Sequence, residues 1–281
     1  MSREPFYPNQ LIPLLITAVL CAVGVGFLFL EILLLSHFII AREAIVPTLH
    51  WPDVLVGMTI YLKTSIYFAI FIGRLMHKYP GWKNRILIEV GTSLGNIGGT
   101  LFILLLWDLF REVHALMALM IVVAAFVLLR MAEEGLEHIK DERGAYKISL
   151  GGLTAWIEKI LDAFNGVIAP VLDKIIPKTD VKDGATRGFF GIFMLAMVIP
   201  FILGLDDFAG YVPLFNIVNV FGFATGVFIG HMLLIIALFL SPSLTIKIVK
   251  NPVISFIGSL AFIGLALWGV FEAVKLISMG A

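Results

Sequence analysis

Two adjacent carboxylates stand in an otherwise apolar stretch, Gly204-Leu205-Asp206-Asp207-Phe208-Ala209-Gly210, with Pro200 before it and Pro213 after it. Neighbouring residues on a regular helix point about 100° apart, so both acids can serve one site only where the backbone opens. Glycines and prolines inside a membrane helix make such an opening expected here. Carboxylates joined by freed carbonyl oxygens form a hard oxygen site suited to manganese, calcium or magnesium. Asp206 and Asp207 are therefore the expected metal ligands.

Other polar residues recur at helical spacing. Glu89, Ser93, Asn96 and Thr100 follow one another at intervals of four, three and four, which places them on one face of a helix. Lys63, Thr64 and Ser65 stand together in a second apolar run, with Asn219 and His231 in a third. An ammonium at Lys63 requires a partner within an apolar helix, and Asp206 or Asp207 is the expected one; its proton could then exchange against a bound cation. The ion-binding set is read as Asp206, Asp207, Thr64, Ser65, Asn96 and Asn219, and the proton-handling set as Lys63, Glu89 and His231. The same charges would suit a zwitterion or an anion, so the charge of the cargo stays open. Glu31 and His37 in the first apolar run read as packing residues.

These residues must be positioned by membrane helices. Of 281 residues 60% are apolar and only 14% charged, with a mean hydropathy of +1.01, against about 25% charged in a soluble domain. Twenty basic and twenty acidic residues cancel, which leaves no net field for nucleic acid. The single cysteine, Cys21, excludes an intrachain disulfide and paired-thiol redox chemistry. The implied partners are the lipid bilayer and a small ion or polar solute; oligomeric state is not readable.

A bilayer crossing takes about 20 mostly apolar residues. Seven runs qualify, at 11–40, 54–76, 86–107, 114–136, 188–212, 214–240 and 252–277. The first is longer than the apolar core of a signal peptide and lacks a small-residue cleavage site, so it is expected to be retained. Basic residues fix the orientation: one side collects Arg3, Arg74, Lys78, Lys83, Arg85 and those from Arg130 to Arg187, with Lys247 and Lys250, while the other keeps Arg42, Arg111 and Lys275. The expectation is a multi-pass plasma-membrane protein with a cytoplasmic N-terminus and an external C-terminus. Between the fourth and fifth runs, apolar residues from Leu153 to Ile175 recur every three or four positions. They predict an amphipathic helix, bent at Pro170, lying in the cytoplasmic interface.

The halves of the chain also match. Gly91, Gly95 and Gly99 return as Gly222, Gly226 and Gly230, a constant shift of 131, and Phe68-Ala69 returns as Phe208-Ala209. Three runs per half make the second copy enter from the opposite face. The expected fold is an all-α integral membrane protein of seven transmembrane helices: an N-terminal helix with its linker (1–53), a first three-helix repeat (54–138), the cytoplasmic loop with its amphipathic helix (139–187) and an inverted second repeat (188–281).

This pattern resembles the lysine exporter superfamily, which includes cadmium-resistance, tellurium-resistance-type and manganese or calcium exporters. The resemblance spans the second to seventh runs and implies two inverted three-helix repeats, each with an acidic motif at a central cation site. Asp206-Asp207 matches that motif in the second repeat; the first repeat departs from it, with Tyr67 at the position matching Asp207. The function expected is a secondary transporter exporting a divalent cation in exchange for protons, without a resident cofactor. A carrier of an amino acid or other small zwitterion or anion is the alternative, as is a non-transporting membrane scaffold. An intramembrane enzyme is not expected: there is no His-Glu-x-x-His pair, and no base stands beside a nucleophile.

Overall fold

The computed structural model describes residues 11–38, 46–111, 113–137, 139–140, 146–147, 152, 154–163, 166, 188–215, 218–241, 244–245, 247 and 251–280, with the side chains of 36, 38, 66–67, 202–210, 213 and 279–280 excepted. Among the described residues the structure is helical and without strands. The elements are α1 (Ile12–Phe38), α2 (Trp51–Thr64), α3 (Ile66–Lys78), α4 (Trp82–Arg111), α5 (His114–Glu137), α6 (154–163), α7 (Phe189–Tyr211), a 3-10 turn (Val212–Leu214), α8 (Val220–Leu240) and α9 (Pro252–Gly280).

Five helices, α1, α4, α5, α8 and α9, are long and apolar enough to cross a membrane, and the bent pair α2–α3 makes a sixth crossing if it counts as one span. The chain is a multi-pass membrane protein. Two of the seven expected crossings therefore differ from plain spans. The run at 54–76 is broken, α2 and α3 meeting at a bend of 62°. At the bend the Thr64 hydroxyl donates to the Tyr61 carbonyl at 3.1 Å, sharing that oxygen with the Ser65 amide, whose 2.9 Å bond is an ordinary helical one. Hydroxyl side chains that bond nearby backbone compete with helix continuation. The run at 188–212 forms α7, but its apolar part with described side chains, Phe189–Phe201, is shorter than a crossing.

The backbone of α7 is helical without interruption from Phe189 to Tyr211, through Pro200, Gly204, Asp206 and Asp207. The expected opening between Gly204 and Gly210 is not present. Pro200 is accommodated within the helix, as membrane helices permit when neighbouring groups take up the freed carbonyl.

The helices fall into two units. One contains α1 to α3, α4 as far as Leu106, α7 as far as Leu205, and α8; the other contains the end of α4, α5, α6, the segment from Asp206 through the 3-10 turn, and α9. In the first unit, glycines let backbones touch. A β-carbon on Gly95 would collide with the Met197 carbonyl oxygen of α7, and one on Gly226 would collide with the Val54 carbonyl oxygen of α2. Gly91 faces Phe193 and Ala196, while Gly222 faces His50 and Asp53, and Gly230 faces Met58 and Tyr61. Because residue numbers rise together along both seams, α4 runs parallel to α7 and α8 parallel to α2. Such close approach is the usual basis of helix association in lipid, where apolar surface gains nothing by leaving the solvent.

In the second unit α5 packs on α9 through small residues. Ala118, Ala124, Ala125 and Ala132 are buried, and a β-carbon on Gly135 would meet the Ser259 hydroxyl. That hydroxyl donates back to the Ser255 carbonyl at 2.9 Å. At the end of α4, Asp108 pairs with Arg111 at 2.8 Å, and the guanidinium lies 5.0 Å from the Trp107 ring centre. α6 is the described portion of the expected amphipathic helix. It exposes Trp156 and Ile160, buries Leu161, and carries Glu158 in an ion pair with Lys140; the remainder of that helix lies outside the described residues.

Candidate functional site

The polar stripe expected on α4 is buried in full. Glu89, Ser93, Asn96 and Thr100 are all below a tenth exposed, and Glu89 is entirely enclosed. An isolated carboxylate in a low-dielectric interior is costly unless it is bonded or neutralised. Glu89 Oε1 accepts hydrogen bonds from the Thr17 hydroxyl of α1 at 2.6 Å and the Ser93 hydroxyl at 3.2 Å. Glu89 Oε2 is buried and has no hydrogen-bond partner among the described residues. The carboxyl does not reach the surface.

From Ser93 the network continues onto α8. The Ser93 hydroxyl lies 3.4 Å from His231 Nε2, at the outer limit of a hydrogen bond, and His231 Nδ1 lies 2.7 Å from the Tyr61 hydroxyl of α2. Because Ser93 spends its one hydrogen on Glu89, its oxygen must accept from Nε2, which therefore carries a proton; Nδ1 then accepts from Tyr61. The donors run in one direction, Tyr61 to His231 to Ser93 to Glu89. The imidazole is held edge-on by the Tyr61 ring, with centroids 5.8 Å apart, and is flanked by Phe68 of α3 at 5.6 Å. Beside the network is a cavity of about 10 Å³, room for about one water, lined in part by Thr17, Cys21, Ser93, Asn96 and His231.

Comparison with protein-family models, curated proteins and solved structures returns no match.

The remaining expected site residues are placed as follows. Thr64 and Ser65 are buried at the α2–α3 bend, where Thr64 bonds backbone. Lys63, one residue earlier, is half-buried. Asn219 is the N-cap of α8: its Oδ1 accepts from the Gly222 amide at 3.1 Å, and its amide nitrogen donates to the Val46 carbonyl at 2.8 Å and the Thr48 hydroxyl at 3.0 Å. Its backbone amide donates to Asp53. Those bonds commit Asn219 to joining the starts of α2 and α8. The side chains of Asp206, Asp207 and Tyr67 lie outside the described residues. Among the described residues no group of three or more His, Cys, Asp or Glu is placed to hold a metal ion.

The structure thus brings Glu89, Ser93, Asn96 and His231 together. Sequence reasoning did not name Tyr61 or Thr17 as their partners. The available signal was general: a tyrosine or threonine hydroxyl inside an apolar run needs a bonding partner.

Proposed function

We propose that the chain is a secondary transporter that exports a cation in exchange for protons, with Glu89 as the group that carries the proton. The observation that carries this reading is the enclosed carboxyl with one oxygen doubly bonded by hydroxyls and the other without a partner among the described residues. An ionisable residue inside a membrane protein is expensive and marks a functional path by default. On Glu89 a proton neutralises the charge. Without it the negative charge favours a bound cation, so proton and cation become alternatives. The directed donors from Tyr61 through His231 and Ser93 offer a route by which a proton reaches or leaves that carboxyl. The small cavity fits a bare ion or water better than an amino acid.

With the α7 backbone helical through both acids, the two carboxylates do not share one site, and the cargo is assigned to Asp207 alone, a carboxylate suited to a hard divalent cation of the manganese or calcium kind. An inverted repeat is supported by matched packing. Three pairs of partners of equivalent glycines are 143 residues apart: His50 with Phe193, Asp53 with Ala196, and Val54 with Met197. That register differs by one helical turn from the Phe-Ala match in the sequence. It sets Asp207 against Thr64 and Asp206 against Lys63, in place of Tyr67 for Asp207. Topology supports the same reading. Parallel packing of α2 and α8 requires an even number of crossings between their starts, so with α4 and α5 each crossing, α2–α3 and α7 must either both cross or both fail to cross. Seven crossings, with the N-terminus cytoplasmic by its basic loops, satisfy that condition, and the arrangement is similar to that of the lysine exporter superfamily.

The test is flux in proteoliposomes loaded with a pH-sensitive dye. Manganese or calcium gradients are expected to drive proton movement in the intact protein, and both Glu89→Gln and Asp207→Asn are expected to abolish it. Flux that survives Glu89→Gln would overturn the assignment of the proton carrier. Absence of flux for any divalent cation in the intact protein would overturn the transporter reading.

A further inference from the structure

The geometry assigns Thr17 as a positioning residue for Glu89, and through it makes α1 part of the site although α1 stands outside the two matched sets of helices. Thr17 is buried, and its hydroxyl has two acceptors, Glu89 Oε1 at 2.6 Å and the Pro13 carbonyl one turn back at 2.9 Å. One hydrogen serves only one of them well. An ionised carboxylate is the stronger acceptor, since charge-assisted bonds are roughly twice as strong as neutral ones. A protonated Glu89 removes that advantage and lets the hydroxyl turn to Pro13. The bond between α1 and α4 is therefore strongest when Glu89 is ionised.

The seam that Thr17 closes is narrow. On the same face of α1, Cys21 lines the cavity and Gly24 sits against the Ile97 side chain, where a β-carbon would approach to 3.0 Å, while Leu28 is fully buried. Around the helix, Leu15, Val19, Val23 and Phe27 are exposed. In lipid no hydrophobic gain holds such a helix in place, so packing and a few polar bonds do so, and a bond to a buried carboxylate is a large share of the polar part. The other titratable groups around this network, among the described residues, are Cys21 on the cavity wall, Arg85 one turn before Glu89 on α4, His231 on α8 through Ser93, and Tyr61 on α2 behind His231. Residues Phe189–Phe201 of α7 carry none.

The transport consequence of this inference rests on Glu89 being the proton carrier; the packing consequence does not, and the two are measured separately. Cys21 is the chain's one cysteine, so the rate of its alkylation by a small thiol reagent in proteoliposomes reports the seam without any transport. Thr17→Val is expected to raise that rate several-fold, Glu89→Gln to raise it as well, and the double variant to add nothing further; Thr17→Ser should behave as the original. Where pH-driven flux is measured, Thr17→Val should move its pH midpoint upward by about one unit, since losing a donor to the carboxylate favours the form that holds the proton. Thr17→Ser should restore the original profile. Alkylation that responds as stated in a protein with no flux would leave the seam standing and remove the transporter reading. Flux whose pH profile ignores Thr17→Val, with alkylation unchanged, overturns the role of Thr17 alone. Should Thr17→Val fail to fold, Glu89→Gln alkylation at the original rate overturns it equally.

Discussion

Replacing Gly226 by alanine puts a methyl group onto the Val54 carbonyl oxygen, and both colliding groups are fixed to backbone. Neither a rotamer change nor a flexible tip relieves the clash, so α2 and α8 must part by on the order of 1 Å. Forcing extra volume into a tight seam costs about 1–3 kcal/mol. The same seam carries the 2.7 Å bond between Tyr61 and His231. Parting the helices by that amount stretches it beyond about 3.5 Å, where it no longer counts as a hydrogen bond. A buried imidazole nitrogen left without its donor adds about 1–3 kcal/mol. Together these predict a loss of about 2–6 kcal/mol, seen as a Tm lower by roughly 3–10 °C in detergent-solubilised protein. Gly95→Ala makes an equivalent clash with Met197 but lies on the α4–α7 seam, so only its packing cost is expected, about 1–3 kcal/mol. Gly264→Ala on α9 meets nothing within 4 Å and serves as the control. Thermal unfolding of the three variants decides the matter: a Tm for Gly226→Ala equal to that of Gly264→Ala would refute the seam and the parallel packing deduced from it.

Two further outcomes follow from particular bonds. Tyr61→Phe keeps the ring beside His231 but removes the donor to Nδ1, so stability should fall by about 1–3 kcal/mol; nitrogen NMR of labelled histidine should show the Nε2-protonated tautomer in the original protein and a mixture in the variant. Asn219→Ala removes the α8 cap and the bonds to Val46 and Thr48, which should cost roughly 1 kcal/mol or more in stability and leave the KM for cation flux unchanged; a raised KM would return Asn219 to the ion path.

Most helices were legible because a membrane span leaves an unmistakable trace, a run of about 20 apolar residues, and α1, α4, α5, α8 and α9 lie close to the expected runs. The break between α2 and α3 was not legible, because Thr64 and Ser65 are compatible with a continuing helix, and the Thr64 hydroxyl bond to the Tyr61 carbonyl is one that an unbroken helix also permits. The opposite error occurred at α7. Glycines and Pro200 suggested an opening, yet the backbone stays helical there, since a proline inside a helix is tolerated where neighbours complete the bonding. The glycine spacing on α4 and α8 was visible as a pattern, but the identity of the helix each accepts is a long-range fact that spacing alone does not carry. The same holds for the site. Glu89 and His231 stood out as titratable groups among apolar ones, and the Glu89–Ser93–Asn96 face was correctly read. Their joining required α1, α2, α4 and α8 to converge, and Thr17 and Tyr61 carry no mark that separates them from other buried hydroxyls.

The most direct test of the central claim is infrared difference spectroscopy of the protonated carboxyl band at fixed pH, recorded on adding manganese to the intact protein and to Glu89→Gln. Manganese is expected to bleach a band in the intact protein, a signal missing from the variant, because Glu89 gives up its proton when the cation binds. A band that manganese leaves untouched, or one that persists in Glu89→Gln, would contradict it.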